Sequence, residues 1–193
     1  TETGLDILPD VVTIEPVGLC NFRCIHCPTG TMPNKRASLE RKSFDLIVNQ
    51  FVANGRIPRV VVLYHGGEPL INKHIGYFVH TLKQIGVKQT VINTNGSLLN
   101  EERSRELLVA GLDELRISLD GESANENNSI RRGCDFTQVA ANIKMLLRLR
   151  RQSGKATPTV TIDNIRICSR TDLESLVLRG QDSFHEPPAF LTE

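Results

Sequence analysis

Apolar residues along this chain fall into two alternating patterns. Short, nearly unbroken runs rich in β-branched residues occupy positions 11–14, 60–64, 90–93, 115–119 and 160–167. Runs of this length between polar and turn residues predict strands, and their continuity predicts burial on both faces. Between them, apolar positions recur at helical spacing. Phe44, Ile47, Val48, Phe51 and Val52 share one face, with Ser43 as the expected N-cap and Gly55 as the stop. Ile75, Phe78, Val79 and Leu82 make a second stripe, closed by Gly86. Asn100 is placed to cap a third helix carrying Leu107 and Leu108, which Gly111 ends. Val139, Ile143, Leu146 and Leu147 form a fourth, ended by Gly154. Thr171-x-x-Glu174 reads as a capping box that opens a fifth. Strand and helix alternate five times, which predicts right-handed βαβ units and an α/β fold on a parallel sheet. No linker interrupts the alternation and no solenoid-type repeat is present.

Size and charge narrow the reading. The chain has 193 residues, enough for one domain with a real core and short for two. The expected domain spans 1–178, incomplete at its C-terminal end. Positions 179–193, with Pro187-Pro188 and no periodicity, read as a loop or a connection leading elsewhere. Thr1 stands where an initiating Met would, so the chain is expected to be a piece of something longer. A 39% apolar and 23% charged composition is that of a folded chain. The formal net charge of +1 supplies no polyanion-binding surface, and 5% aromatics without Trp supply no base-stacking platform, so nucleic acid is not an expected partner. No apolar run is long enough to span a bilayer, and positions 1–10 lack the basic flank and apolar run of a signal peptide. The expected location is the cytoplasm.

Cysteine usage is the strongest chemical signal. Of five cysteines, Cys20, Cys24 and Cys27 crowd into one loop after the first strand as C-x3-C-x2-C, while Cys134 and Cys168 stand apart. An odd count without an export signal is not a disulfide framework; clustered thiols in a reducing compartment hold metal or do redox work. A structural zinc would need a fourth ligand. His26 is the local candidate, but it adjoins Cys27, and adjacent side chains seldom reach one ion. Thiolates of this kind also hold iron–sulfur clusters, usually four to a cluster. Three leave one iron open to a substrate or cofactor.

Other polar groups recur at the expected strand ends. Gly66-Gly67-Glu68-Pro69 follows the second strand, where glycines permit close backbone approach and Glu68 offers an acceptor for an ammonium group. Asn93-Thr94-Asn95-Gly96 follows the third and reads equally as an Asn-Gly turn. Ser118 and Asp120, two apart at the end of the fourth, point the same way and can hydrogen-bond a ribose. Arg131, before Gly133 and Phe136, offers a carboxylate its forked donors. The carboxyl rim of a parallel sheet is where ligands bind, so these groups are expected to share one mouth.

With C-x3-C-x2-C and GGEP in these places, the chain resembles the radical S-adenosylmethionine (SAM) superfamily, and most of all its SPASM/Twitch-type enzymes, over about 11–176. The resemblance implies a partial (β/α)6 barrel, here with five strand–helix units. It implies a 4Fe–4S cluster on Cys20, Cys24 and Cys27, whose open iron chelates SAM, and reductive cleavage of SAM to a 5′-deoxyadenosyl radical that takes hydrogen from a substrate. It implies that Gly66, Gly67 and Glu68 meet the SAM amine, Asn95 lies at the cofactor, Ser118 and Asp120 hold the ribose, Arg131 the carboxylate, and the His26 backbone runs along the adenine. Tyr64, His65 and Glu122 lie near the rim without an assigned role. Implied partners are SAM, an electron donor such as a flavodoxin or ferredoxin, and a peptide, protein or sugar-like substrate. The alternatives are a non-enzymatic iron–sulfur or zinc module, which leaves GGEP unexplained, and an inactive fragment of a larger enzyme.

Overall fold

The computed structural model describes residues 9–32 and 37–165. Its elements run β1 (Val11–Ile14), α1 (Arg41–Ala53), β2 (Val60–Leu63), a single 3-10 turn (Pro69–Ile71), α2 (Ile75–Gln84), β3 (Gln89–Thr94), α3 (Glu101–Ala110), β4 (Glu114–Ser118), α4 (Ala124–Ile130), α5 (Phe136–Gln152) and β5 (Thr159–Asp163). The expected fifth helix at Thr171, Cys168 and the stretch 179–193 lie outside the described residues.

All four strand pairings are parallel, and the strands stand in chain order, β1-β2-β3-β4-β5. Chain order joined by right-handed crossovers puts every helix on one side, the winding of a barrel wall rather than of a doubly wound sheet. The core follows from this. Val61 and Leu63 of β2, Ile92 of β3, and Leu115 and Ile117 of β4 pack with Phe44, Phe78, Leu107, Val139 and Ile143 of the helices. Phe44 of α1 stacks on Phe78 of α2 with ring centroids 4.1 Å apart.

One expectation is corrected here: the strands are buried more fully on one face than on the other, where Val91 is buried but most positions are not. Val62, Asn93, Arg116 and Ser118 alternate with the core residues and remain partly exposed. The second face carries ion pairs, with Arg116 donating to both carboxylate oxygens of Asp163 at 3.1 and 2.9 Å. A wall covered by helices on one side alone leaves its other face to polar chemistry.

Local signals explain the boundaries. Asn100 caps α3 by accepting from the Arg103 amide at 2.8 Å, and Gly111 ends the helix at φ +84°. The α1 N-cap is Glu40 rather than Ser43, because the Phe44 amide already donates to the Glu40 carbonyl at 3.0 Å, which places Ser43 inside the first turn. Strand β5 stops at Asp163, short of position 167. Helix α4 carries no apolar stripe, so periodicity did not reveal it. Its start is a Ser123 cap that accepts from the Glu126 amide at 3.2 Å.

Candidate functional site

The cysteine loop leaves β1 and is stitched down on several sides. The Leu39 amide donates to the Pro16 carbonyl at 2.8 Å, and the Asn72 side-chain amide donates to the Pro16 and Leu39 carbonyls at 2.7 and 3.0 Å. The Glu68 amide donates to the Leu19 carbonyl at 2.8 Å. Further on, the Arg23 and Ile25 amides donate to the Arg132 and Ile130 carbonyls at 2.8 and 2.9 Å. Phe22, 2% exposed, roots the loop in the interior between two of the cysteines. Order in such a loop comes from these bonds, because it has no secondary structure of its own.

Cys20, Cys24 and Cys27 are free thiols, Cys24 buried and the other two half-buried. Burial pushes the Cys20 and Cys24 thiols up from their ordinary range; the Arg131 guanidinium partly offsets this at Cys24, and charge on the neighbouring cysteines adds to it. Arg131 Nη1 lies 4.0 Å from Cys24 Sγ, and Asn95 Nδ2 lies 3.9 Å from Cys20 Sγ. Cys24, His26, Cys27 and Thr31 line an open recess between Arg23 and Arg132.

Around the thiols stand the ends of β2, β3 and β4. Glu68 is 2% exposed and accepts three hydrogen bonds: the Leu70 amide at 3.0 Å, the Thr94 hydroxyl at 2.6 Å and the Asn95 amide at 2.7 Å. It rivets the end of β2 to the end of β3. Burial pushes its carboxyl up, against these bonds, which favour the charged form. Gly67 packs on the cysteine loop: a Cβ there would run into the carbonyl oxygens of Val17 and Leu19. The Gly66 amide donates to Glu15 Oε1 at 2.9 Å. Asn95 accepts from the Ser97 amide at 2.9 Å, a side-chain turn, and donates to Asn21 Oδ1 at 2.9 Å. It therefore serves both the turn and the cysteine loop.

Asp120 and Arg131, given separate parts of a ligand by the sequence reading, are partners. Arg131 Nε lies 2.8 Å from Asp120 Oδ2 with side chains 9% and 0% exposed, although the N–H is not aligned on the oxygen as a hydrogen bond requires. His26 Nε2 lies 3.9 Å from the same oxygen. Asp120 Oδ1 accepts from the Ile165 amide at 3.0 Å. The Asp120 carboxylate is enclosed by these groups, while Ser118 stays partly exposed.

Several contributors escaped the sequence reading. Asn127 accepts from the Asp120 amide at 2.9 Å and donates to Cys134 Sγ at 3.2 Å. Asn21, Glu15, Asn72 and Thr94 hold the rim together as described above. A polar residue held by a partner 51 or 74 positions away leaves no local pattern; only the Ser123-x-x-Glu126 cap before Asn127 could have pointed to α4. Burial, then charge on Cys27, pushes the Tyr64 phenol up from its ordinary range. Among the described residues, no three His, Cys, Asp or Glu side chains stand close enough together to hold a single metal ion, and no helix is long and apolar enough to cross a membrane.

Comparison with known proteins gives the family. The family model of the radical SAM superfamily matches residues 14–173. The GTP 3′,8-cyclase of Chlorobaculum tepidum is 30% identical over 183 residues, covering 94% of this chain and 49% of that protein. The GTP 3′,8-cyclase of Lactiplantibacillus plantarum is 33% identical over 149 residues, 75% of this chain and 43% of that one. The chain therefore spans less than half the length of these relatives. Among solved structures, SuiB of Streptococcus suis bound to its precursor peptide SuiA superposes with a TM-score of 0.66 at 19% identity, over 88% of this chain and 36% of that chain. BtrN in complex with AdoMet and 2-DOIA gives 0.57 at 18%, over 87% and 59%. At these identities the structures testify to the fold alone. With the family model matching most of its length, the chain belongs to the radical SAM superfamily.

Proposed function

We propose that Cys20, Cys24 and Cys27 hold a 4Fe–4S cluster, that SAM binds over it on the rim of β2, β3 and β4, and that the full protein uses the pair to start a radical reaction. The observation that carries this reading is the enclosure of three thiols by strand-end groups, with Arg131 and Asn95 within about 4 Å of two of the sulfurs. The donor set fits the group. Three thiolates from one loop suit a cluster, where each binds a different iron and the ligands stand apart, better than a single zinc ion, which draws its ligands together. When bound, the reduced cluster supplies the electron that breaks a carbon–sulfur bond of SAM.

The chain's residues then have definite tasks. The stitched loop presents the three sulfurs before a cluster arrives. Gly67 brings the β2 end against the loop, and Glu68 ties it to β3, so the backbone of Gly66 to Glu68 is fixed where the SAM amine is to sit. Glu68 already accepts three bonds, which leaves about one lone-pair direction for an ammonium group. Ser118 is the ribose contact on the open face. Arg131 would hold the carboxylate through its terminal guanidinium nitrogens, the His26 backbone would run along the adenine, and Asn95 supports Cys20. The cytoplasm, with an electron donor of the flavodoxin or ferredoxin type, suits thiols that must stay reduced. The sequence relatives make GTP the first substrate to test with the full protein, ahead of peptides and sugar-like alcohols.

The test is anaerobic reconstitution, then chromatography for 5′-deoxyadenosine after adding SAM and dithionite, with Cys24→Ala as control. Product above the control, from protein carrying about four irons and four sulfides per chain, is the expected result. One zinc and no sulfide would refute the reading.

A further inference from the structure

The buried pair of Asp120 and Arg131 is more elaborate than a carboxylate clamp needs. Arg131 sits just after α4, where its amide donates to the Asn127 carbonyl at 2.7 Å and its carbonyl accepts from the Cys134 amide at 2.8 Å. The bonds from the Arg23 amide to the Arg132 carbonyl and from the Ile25 amide to the Ile130 carbonyl lie on either side of it. They hold the cysteine loop against the end of α4, on either side of the point where Arg131 meets Cys24. Backbone geometry thus delivers a guanidinium to one particular sulfur. Asp120 then fixes its direction. Its own amide is held by Asn127 Oδ1 at 2.9 Å and its Oδ1 by the Ile165 amide at 3.0 Å, which leaves Oδ2 against Arg131 Nε, an ion pair at 2.8 Å. The remaining nitrogens are turned outward, Nη1 toward Cys24 Sγ at 4.0 Å.

We propose that Arg131, oriented by Asp120, acts through the Cys24 sulfur to make the bound cluster easier to reduce. A fixed positive charge beside one ligating sulfur favours the more negative, reduced state, and burial keeps that charge from being screened by water. Asp120 is the positioning residue: it lies against the guanidinium, while its own charge bears less on the Cys24 sulfur than that of Arg131. The electron comes from an external one-electron donor, and no bond is made or broken at either residue. The inference rests on the reading that Cys24 ligates the cluster.

Redox titration of the reconstituted chain, followed by electron paramagnetic resonance in the absence of SAM, tests it. Leaving SAM out removes any effect of a lost carboxylate contact. Arg131→Gln is expected to make the cluster about tenfold harder to reduce, about 59 mV for one electron, with iron and sulfide content unchanged. Arg131→Lys restores a charge and is expected to return the potential toward the native value. Because Arg131→Gln leaves Asp120 buried without its partner and can fail to fold, the double variant Asp120→Asn/Arg131→Gln is measured beside it. Losing the Arg131 cation together with the Asp120 anion, whose charge bears less on the sulfur, still lowers the potential, by less than the single change. An unchanged or higher potential in the folded variants would overturn the inference, as would loss of the cluster in both, which would make the pair structural. Failure of the native chain to take up a cluster would instead overturn the reading beneath it.

Discussion

Glu68→Gln probes the rivet that joins the β2 and β3 ends. Its two carboxylate oxygens receive three donors: the Leu70 amide and the Thr94 hydroxyl on Oε1, and the Asn95 amide on Oε2. Glutamine offers one oxygen. Whichever way its amide turns, the NH2 group faces a backbone N–H, of Asn95 in one orientation and of Leu70 in the other. The Thr94 hydroxyl can rotate to accept; a peptide N–H cannot. One buried donor is left unpaired, at a cost of about 1–3 kcal/mol. For a chain of this size that is a fall in Tm of about 2–12 °C, read by calorimetry on the apoprotein. The pH dependence carries the sign. Burial raises the Glu68 pKa in the folded chain, so above an unfolded value of about 4.3 the folded state retains more proton than the unfolded state. The stability contributed by this titration is full below about pH 4.3 and declines as pH rises through the folded pKa. The variant lacks the titration, so the gap between native and variant narrows from pH 4 toward neutral. A gap that widens with pH would mean that the hydrogen bonds outweigh burial and that the physical account of Glu68 is wrong. A variant as stable as the native chain across the range would refute the rivet itself.

Replacing Cys20, Cys24 or Cys27 singly by Ala should abolish the iron and sulfide content of the reconstituted protein, while Cys134→Ala and Cys168→Ala should leave it intact; loss in either of the last two would show a misread ligand set. Gly67→Ala should fail to yield folded, soluble protein or lose the cluster, because its Cβ would meet the Val17 and Leu19 carbonyl oxygens rather than a yielding side chain; native-like circular dichroism and cluster content would contradict that. Asn100→Ala removes a cap with a 2.8 Å bond and should lower stability by about 1 kcal/mol, with cluster content unaffected, as chemical denaturation would measure. Replacing Arg131 by Ala should weaken SAM binding to the reconstituted chain at least tenfold by calorimetric titration, because a carboxylate buried without its partner is strongly disfavoured.

Much of this protein could be read along the chain, because the governing interactions are local or periodic. The stripe Ile75, Phe78, Val79 and Leu82 forms one face of a helix wherever it packs. Asn100 and Gly111 cap α3 through atoms within a turn of themselves. The alternation of strand and helix sets a parallel sheet, and the spacing of Cys20, Cys24 and Cys27 places three thiols on one loop. Tertiary structure decided the rest. That the strands bury one face more fully than the other depends on which side the crossovers take, and an apolar run such as 60–63 looks the same in either case. The partnership of Asp120 with Arg131, the bonds on Glu68 and the approach of Arg131 to Cys24 join residues 11, 26 and 107 positions apart in the chain. Such contacts are chosen by folding as a whole: once the backbone brings buried polar groups together, they must find one another or stay unpaired. The chain therefore announces its thiols by spacing, and it reveals what charges and orients them only when folded.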